Sequence, residues 1–193
     1  MNMAVLGRDV LESMGFASLG SDLHISDRAA FYGCAQIALG NHVRIDDFCV
    51  LSAGQGGIAI GNHVHVAVYA CLIGQGRITL CDFCNISSRV SIYSSSDDYS
   101  GATMTNPTIP DRYKNVLHAD VNVGKHVIVG SGSVILPGTT LEEGVAVGAL
   151  SLVKDRCTAF GIYAGNPARR VRERKHDLLG LEGEFMADKS RSR

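Results

Sequence analysis

Along residues 123–153 an aliphatic side chain returns at every sixth position: Val123, Val129, Ile135, Leu141, Val147 and Val153. Four positions after each of the first five stand Val127, Ser133, Thr139, Val145 and Ser151, all small or β-branched. A period of six matches neither the 3.6-residue helix nor the two-residue alternation of a simple strand. It is the period of a parallel β-helix, in which each face of a coil consists of one short strand and one turn. The aliphatic residue points inward and stacks on its equivalents in the coils above and below.

The same rhythm begins with Ile25, Phe31 and Ile37. A larger unit emerges when Leu39-Gly-Asn-His-Val-Arg-Ile45, Ile60-Gly-Asn-His-Val-His-Val66, Leu80-Cys-Asp-Phe-Cys-Asn-Ile86 and Val123-Gly-Lys-His-Val-Ile-Val129 are aligned. The first three begin 21 and 20 residues apart, and the fourth follows 43 later. A three-sided coil needs about 18 residues. The early surplus falls on Ala53-Gly-Gln-Gly-Gly57 and Gly74-Gln-Gly76, which read as bulged corners. The late surplus is one polar excursion, residues 93–120, containing Pro107 and Pro110. Loops of that length in a compact domain are functional or disordered, and three tyrosines with many hydroxyls predict an ordered one.

Residues 1–20 read as a helical cap over the open first coil, with a helix over 9–16 capped by Asp9 and ended by Gly15. The β-helix domain is assigned to 21–168. Residues 169–193 comprise a basic segment, an amphipathic helix over 177–187 carrying Leu178, Leu179, Leu181, Phe185 and Met186, and a frayed end from Asp188. The fold class is therefore all-β, a parallel β-helix with one long excursion and a helix at each end.

Composition narrows the functional classes. Of 193 residues, 46% are hydrophobic, none is Trp and 6% are aromatic, which suits a core of stacked Val, Ile and Leu. A formal net charge of -1 gives no global attraction to nucleic acid or an anionic membrane. No apolar run approaches the roughly 20 residues of a membrane span. The amino-terminal residues lack a signal-peptide layout, so a cytoplasmic protein is expected. Cys81-Asp-Phe-Cys84 has half a zinc-site spacing without a second half. The six cysteines read as reduced thiols in small core or turn positions.

Three stretches, Val127-Ile-Val-Gly-Ser-Gly-Ser-Val-Ile-Leu-Pro-Gly138, Val147-Gly-Ala-Leu-Ser-Leu-Val153 and Tyr163-Ala-Gly-Asn-Pro-Ala-Arg169, resemble the left-handed β-helix hexapeptide-repeat acyltransferases. The branch is that of galactoside and maltose acetyltransferases and the sugar acetyltransferases of bacterial surface-polysaccharide synthesis. The loop Ile92-Tyr-Ser-Ser-Ser-Asp-Asp-Tyr-Ser-Gly101 is nearer the polysaccharide group. This resemblance implies a homotrimer with sites between subunits, acetyl-CoA as co-substrate, no metal, and a sugar or nucleotide-linked sugar as acceptor. It places the pantetheine arm beside Ser131 and Ala149, with Lys154 just beyond, where small side chains permit close backbone approach. It places Ala164-Gly165-Asn166-Pro167 at the adenine, and Arg169 and Arg172 at the CoA phosphates, which a guanidinium fork suits.

The resemblance leaves the general base to the residues. Galactoside-type enzymes carry a loop His, but here the corresponding stretch holds Asp97 and Asp98. His42, His63 and His126 recur in one repeat slot, shared with Phe83, and so read as structural. His65 does not recur: its repeat-mates are Arg44, Asn85 and Ile128. It lies one coil before the excursion and is the candidate base. Asp98 and Asp97 are the next candidates, Asn85 a candidate acceptor contact, and Tyr99 and Tyr113 candidates for the sugar site. An amine attacks a thioester without prior deprotonation, whereas a hydroxyl needs an early base. Paired loop carboxylates favour an amino sugar while the overall similarity favours O-acetylation, so both stay open. Two other classes use such a coil: a γ-carbonic anhydrase-like metalloenzyme and a non-catalytic trimeric binding protein. The first is disfavoured because the CoA-facing tail motif has no purpose in it.

Overall fold

The structure, a computed structural model, describes residues 5–191. Among them, about seven coils build a parallel β-solenoid with three faces. The first face carries Ser18–Leu19, Ile37–Leu39, Ile58–Ile60, Ile78–Leu80, Val121–Val123 and Thr140–Leu141. The second carries His24–Ile25, Arg44–Ile45, His65–Val66, Asn85–Ile86, Ile128–Val129, Ala146–Val147 and Gly161–Gly165. The third carries Ala30–Tyr32, Val50–Ala53, Cys71–Gly74, Ser91–Tyr93, Val134–Ile135 and Leu152–Val153. The first coil thus opens at Ser18, within the segment assigned to the cap.

The six-residue rhythm is the inward column. Ile45, Val66, Ile86 and Val129 stack on the second face with no exposure, as do Leu51, Leu72, Ile92 and Ile135 on the third. Small residues fill the corners: Val43, Val64, Cys84, Val127 and Val145 at one, Cys49, Ala70, Val90, Ser133 and Ser151 at the next. Burial pushes the Cys84 thiol up to about 12, so it stays protonated and donates to the Gly124 carbonyl. Close stacking also explains Gly130, where an added Cβ would come 2.5 Å from the Ala149 nitrogen.

The excursion leaves and rejoins without disturbing the coils: Ile78 pairs with Val121, Asn85 with Ile128 and Ser91 with Val134. Its neck is a two-stranded antiparallel ribbon, Ser95–Ser96 against Leu117–His118. Buried Ser94 donates to the Gly76 carbonyl at one side, and Asp120 accepts from the Arg77 N–H at the other.

The amino-terminal helix α1 spans Arg8–Ser13, one residue earlier than expected. Asp9 does not cap it: Gly7 is the N-cap and makes no side-chain bond, while Asp9 lies in the first turn, where its charge suits the positive helix end. Leu11 is the helix residue that enters the core. At the other end Gly161–Gly165 turns through Asn166-Pro167 into an antiparallel strand, Ala168–Glu173. Helix α2, Asp177–Arg191, then runs back along the corner between the first and second faces.

There it covers a ladder of rings. His42, His63, Phe83 and His126 stack with centroids 4.5, 5.1 and 5.0 Å apart, each at left-handed φ. Phe185 meets His63 and Phe83 edge-on. Glu182 accepts from Lys125 (2.6 Å) and His126 (2.8 Å), and Lys189 donates to His42 Nε2 (2.7 Å) and His63 Nε2 (3.1 Å). The recurring histidine slot is therefore architectural. The expected fraying from Asp188 does not hold as far as Arg191, because Lys189 is anchored; residues 192–193 lie outside the described ones.

Candidate active site

Arg44, His65 and Asn85 stand in register on the outside of the second face. His65 Nε2 lies 2.8 Å from Asp46 Oδ2, and Asp46 also accepts from Arg44 Nε at 2.6 Å. Burial pushes the Asp46 carboxyl up, but hydrogen bonds and charge from His65 and Arg44 outweigh it and hold the group below the usual carboxylate range. It is therefore ionised and accepts a hydrogen bond from Nε2–H. In the neutral ring the lone pair is then on Nδ1, which stands 3.2 Å from Asn85 Oδ1. Rotated by half a turn, the same amide offers an N–H to that lone pair. The cluster is thus an oriented imidazole whose basic nitrogen faces an amide.

Asp46 was not singled out from the sequence. The available signal was alternation, because Asp46 lies two residues after Arg44 and projects from the same face of the adjoining coil.

The loop candidates separate. Asp98 accepts from the Ser100 N–H (2.8 Å) and the Thr103 hydroxyl (3.0 Å), contacts that hold its carboxyl below the usual range. It closes a turn of its own loop. Asp97 lines a groove of about 410 Å³ between the loop and the third face, with Ser95, Asn106, Lys114 and His118. There Ser95 Oγ accepts from the Gln75 N–H and stands 2.8 Å from His118 Nδ1, to which its hydroxyl proton is free to be donated. This Ser–His pair was also missed, since only register across the neck brings residues 95 and 118 together. Tyr99 is 93% exposed and Tyr113 half-exposed, with the Arg112 guanidinium 4.6 Å from its ring centroid. A single chain does not unite these groups: Asp97 is over the third face and His65 on the second.

Ser131 and Ala149 are exposed at the corner between the second and third faces, and Lys154 follows on the next turn. Ala164 sits directly past Gly148, where an added Cβ would be 3.1 Å from the Ala164 Cβ. Within the basic run, Arg174 donates to the His126 and Gly144 carbonyls, and Arg170 pairs with Glu173. Arg169 and Arg172 remain exposed; Arg169 touches its neighbour's carbonyl and, at 3.9 Å, Asp155.

No protein-family model matches the chain. The dTDP-4-amino-4,6-dideoxy-D-glucose acyltransferase of Escherichia coli is 54% identical over 183 residues, covering 95% of each chain. The chain belongs to the hexapeptide-repeat β-helix acyltransferases. Among solved structures, AntD, an N-acyltransferase from Bacillus cereus, superposes with a TM-score of 0.92 at 42% identity, over 98% of this chain and 100% of that one. That AntD structure is a complex with dTDP and 3-hydroxybutyryl-CoA. A serine variant of AntD, with dTDP-4-amino-4,6-dideoxyglucose and coenzyme A, gives a TM-score of 0.92 at 42% identity over 96% and 99% of the two chains. For this family member, the solenoid, the excursion loop and both helical ends lie within the matched length.

Proposed function

We infer that this chain transfers the acyl group of an acyl-CoA to the 4-amino group of dTDP-4-amino-4,6-dideoxyglucose. The observation that carries this is the 54% identity over 95% of both chains to an acyltransferase of that acceptor. It tips the open choice between oxygen and nitrogen toward nitrogen. The donor is an acetyl-CoA or a short hydroxyacyl-CoA such as 3-hydroxybutyryl-CoA.

The donor lies along Ser131, Ala149 and Lys154, with the 164–167 turn at its adenine and Arg169 and Arg172 at its phosphates. Both arginines are exposed, and Arg169 has only the long 3.9 Å contact to Asp155 among the described residues, which leaves its guanidinium open to a phosphate. The amine nitrogen attacks the thioester carbon, the C–S bond breaks, and the thiolate leaves. His65 takes the proton released by the amine at Nδ1, displacing the Asn85 amide, while Asp46 balances the imidazolium charge. The proton then passes to the thiolate. In a homotrimer a neighbouring excursion loop lies against this face and brings Asp97 to the acceptor amine.

Incubation of the purified chain with dTDP-4-amino-4,6-dideoxyglucose and acetyl-CoA or 3-hydroxybutyryl-CoA tests this, with released thiol followed optically and products weighed by mass spectrometry. The expected result is one acyl mass added per sugar nucleotide. Acyl addition to galactosides or glucosides, with none to the amino sugar, would overturn it.

A further inference from the structure

The excursion leaves the solenoid at the corner between the third and first faces, where the two preceding coils bulge at residues 53–57 and 74–76. A cavity of about 640 Å³ opens between the loop and these bulges, a volume in the range of small-molecule sites. The solenoid contributes Gln55 and Gln75 to its wall, and the excursion contributes Asp111, Lys114, Val116 and His118. This corner is the one opposite the second face, so within one chain the cavity is separate from the His65 cluster.

Two of the wall residues have their acceptors already engaged. Gln75 Oε1 accepts from the Gln55 N–H at 3.2 Å, and the side chain lies over Gly54, where an added Cβ would come 2.2 Å from that oxygen. With its oxygen held, the Gln75 amide has its N–H donors left for the cavity. Ser95 Oγ accepts from the Gln75 N–H, so its own proton goes to His118 Nδ1 at 2.8 Å. The neutral His118 ring then carries its proton on Nε2 and is a donor there.

Lys114 sets the sign of the site. Its side chain is only 11% exposed, and a lysine so buried needs a counter-charge. Its ion-pair partner is Asp111 at 3.0 Å, whose own side chain is fully exposed. A pair with one member entirely in water is weak, so Asp111 can swing aside for a ligand anion at little cost. Asp111 is the one acid lining this cavity among the described residues, while Asp97 lies in the adjoining groove. Once Asp111 yields, an ammonium, an imidazole N–H and an amide face the same space.

We propose that this cavity binds a small phosphate monoester of sugar-phosphate size. Its phosphate takes Lys114 and the His118 Nε2–H, because several acceptor oxygens on one group match converging donors. Its polar body takes the Gln75 and Gln55 amides, which fill the volume a bare phosphate ion would leave empty. Such a ligand ties the excursion to the solenoid, since Lys114 and His118 belong to the loop and the glutamines to the coils. Any effect on turnover rests on the acyl-transfer reading, in which this loop carries Asp97; the binding itself does not.

The experiment is calorimetric titration of glucose 1-phosphate, inorganic phosphate and dTDP into the wild-type chain and the Lys114→Gln and Gln75→Leu variants, with coenzyme A as the control for an intact fold. Glucose 1-phosphate is expected to bind the wild-type chain more tightly than inorganic phosphate. Lys114→Gln should weaken it about tenfold or more, as loss of a charge-assisted bond does, and Gln75→Leu about threefold, with coenzyme A affinity within twofold. In the wild-type chain glucose 1-phosphate should also slow amide exchange over residues 111–118, a readout independent of how the variants fold. No binding of either phosphate up to about 10 mM, no slowing of exchange, or affinity retained within twofold by Lys114→Gln overturns the site. Inorganic phosphate binding as tightly as glucose 1-phosphate overturns the monoester assignment. Displacement of glucose 1-phosphate by dTDP assigns the cavity to the acceptor and overturns the proposal. A failure of the acyl-transfer reading appears separately, in thiol release.

Discussion

Asp46→Asn isolates the orientation of His65 from its presence. The exchange preserves the shape of a side chain that is 15% exposed, against 38% for His65, so solvent screens the pair in part. It replaces a charge-assisted bond of 2.8 Å by a neutral one. Charge-assisted bonds contribute about 1.5–3 kcal/mol and neutral ones about 0.5–1.5, a difference of about 1–2 kcal/mol. If that difference falls on the imidazolium formed during acyl transfer, kcat drops roughly 5- to 30-fold. The assay is thiol release from acyl-CoA at saturating sugar nucleotide, with KM for each substrate. Arg44→Gln is the control: it also removes a contact to Asp46, but not the one to His65, and should cost less than about threefold. A kcat for Asp46→Asn within twofold of wild type, alongside a large drop for His65→Ala, would refute the orienting role. A neutral His65→Ala would remove His65 as the base altogether.

Ile86→Ala, at a fully buried position midway along the second face, should destabilise the chain by about 2–5 kcal/mol in a denaturant titration. Asp98→Asn keeps an acceptor for the Ser100 N–H and should retain turnover within about threefold, whereas Asp98→Ala loses both loop bonds and should raise the acceptor KM. Docking of the end of α2 should weaken in acid. Burial, the Lys189 ammonium and His42 lower His63 from its usual 6.5, while Asp82 opposes them. The stabilisation is therefore present above about pH 6.5 and is lost as pH falls through the lowered value. The facing groups on the other side are Asp22 beside His42, and Glu182 with Lys125 and His126, where hydrogen bonds keep Glu182 ionised until lower pH. Amide exchange at residues 185–189, corrected for intrinsic rate, should accelerate between pH 7.5 and 5.5, and Lys189→Met should flatten that dependence.

The solenoid was readable because each coil repeats one local rule. An inward aliphatic every sixth residue and a small residue at each corner are demanded again at every level, so errors at single positions average out. The same repetition marked His42, His63 and His126 as architectural and His65 as an exception, from which the imidazole cluster followed. Where a residue's role depends on a partner remote in sequence, the pattern was silent. Ser95 and His118 meet only because the neck of the excursion pairs. The bonds that Asp98 accepts from Ser100 and Thr103 in its own loop were equally invisible, and Asp9 looked like a cap until the helix began one residue earlier.

Sequence alone determined the period, the three-sided coil and the place of the excursion, because each depends on contacts between neighbouring coils about 20 residues apart. Tertiary structure alone decided what the outer surface does with its rings and charges. It roofed one aromatic ladder with a helix 56 to 147 residues away in the chain and left the Phe48–Tyr69 pair half-exposed between two guanidiniums. Inward positions obey a repeating steric rule that is written into the chain, whereas outward positions, apart from the recurring ring slot at one corner, do not, and their chemistry emerges only when the coils are stacked.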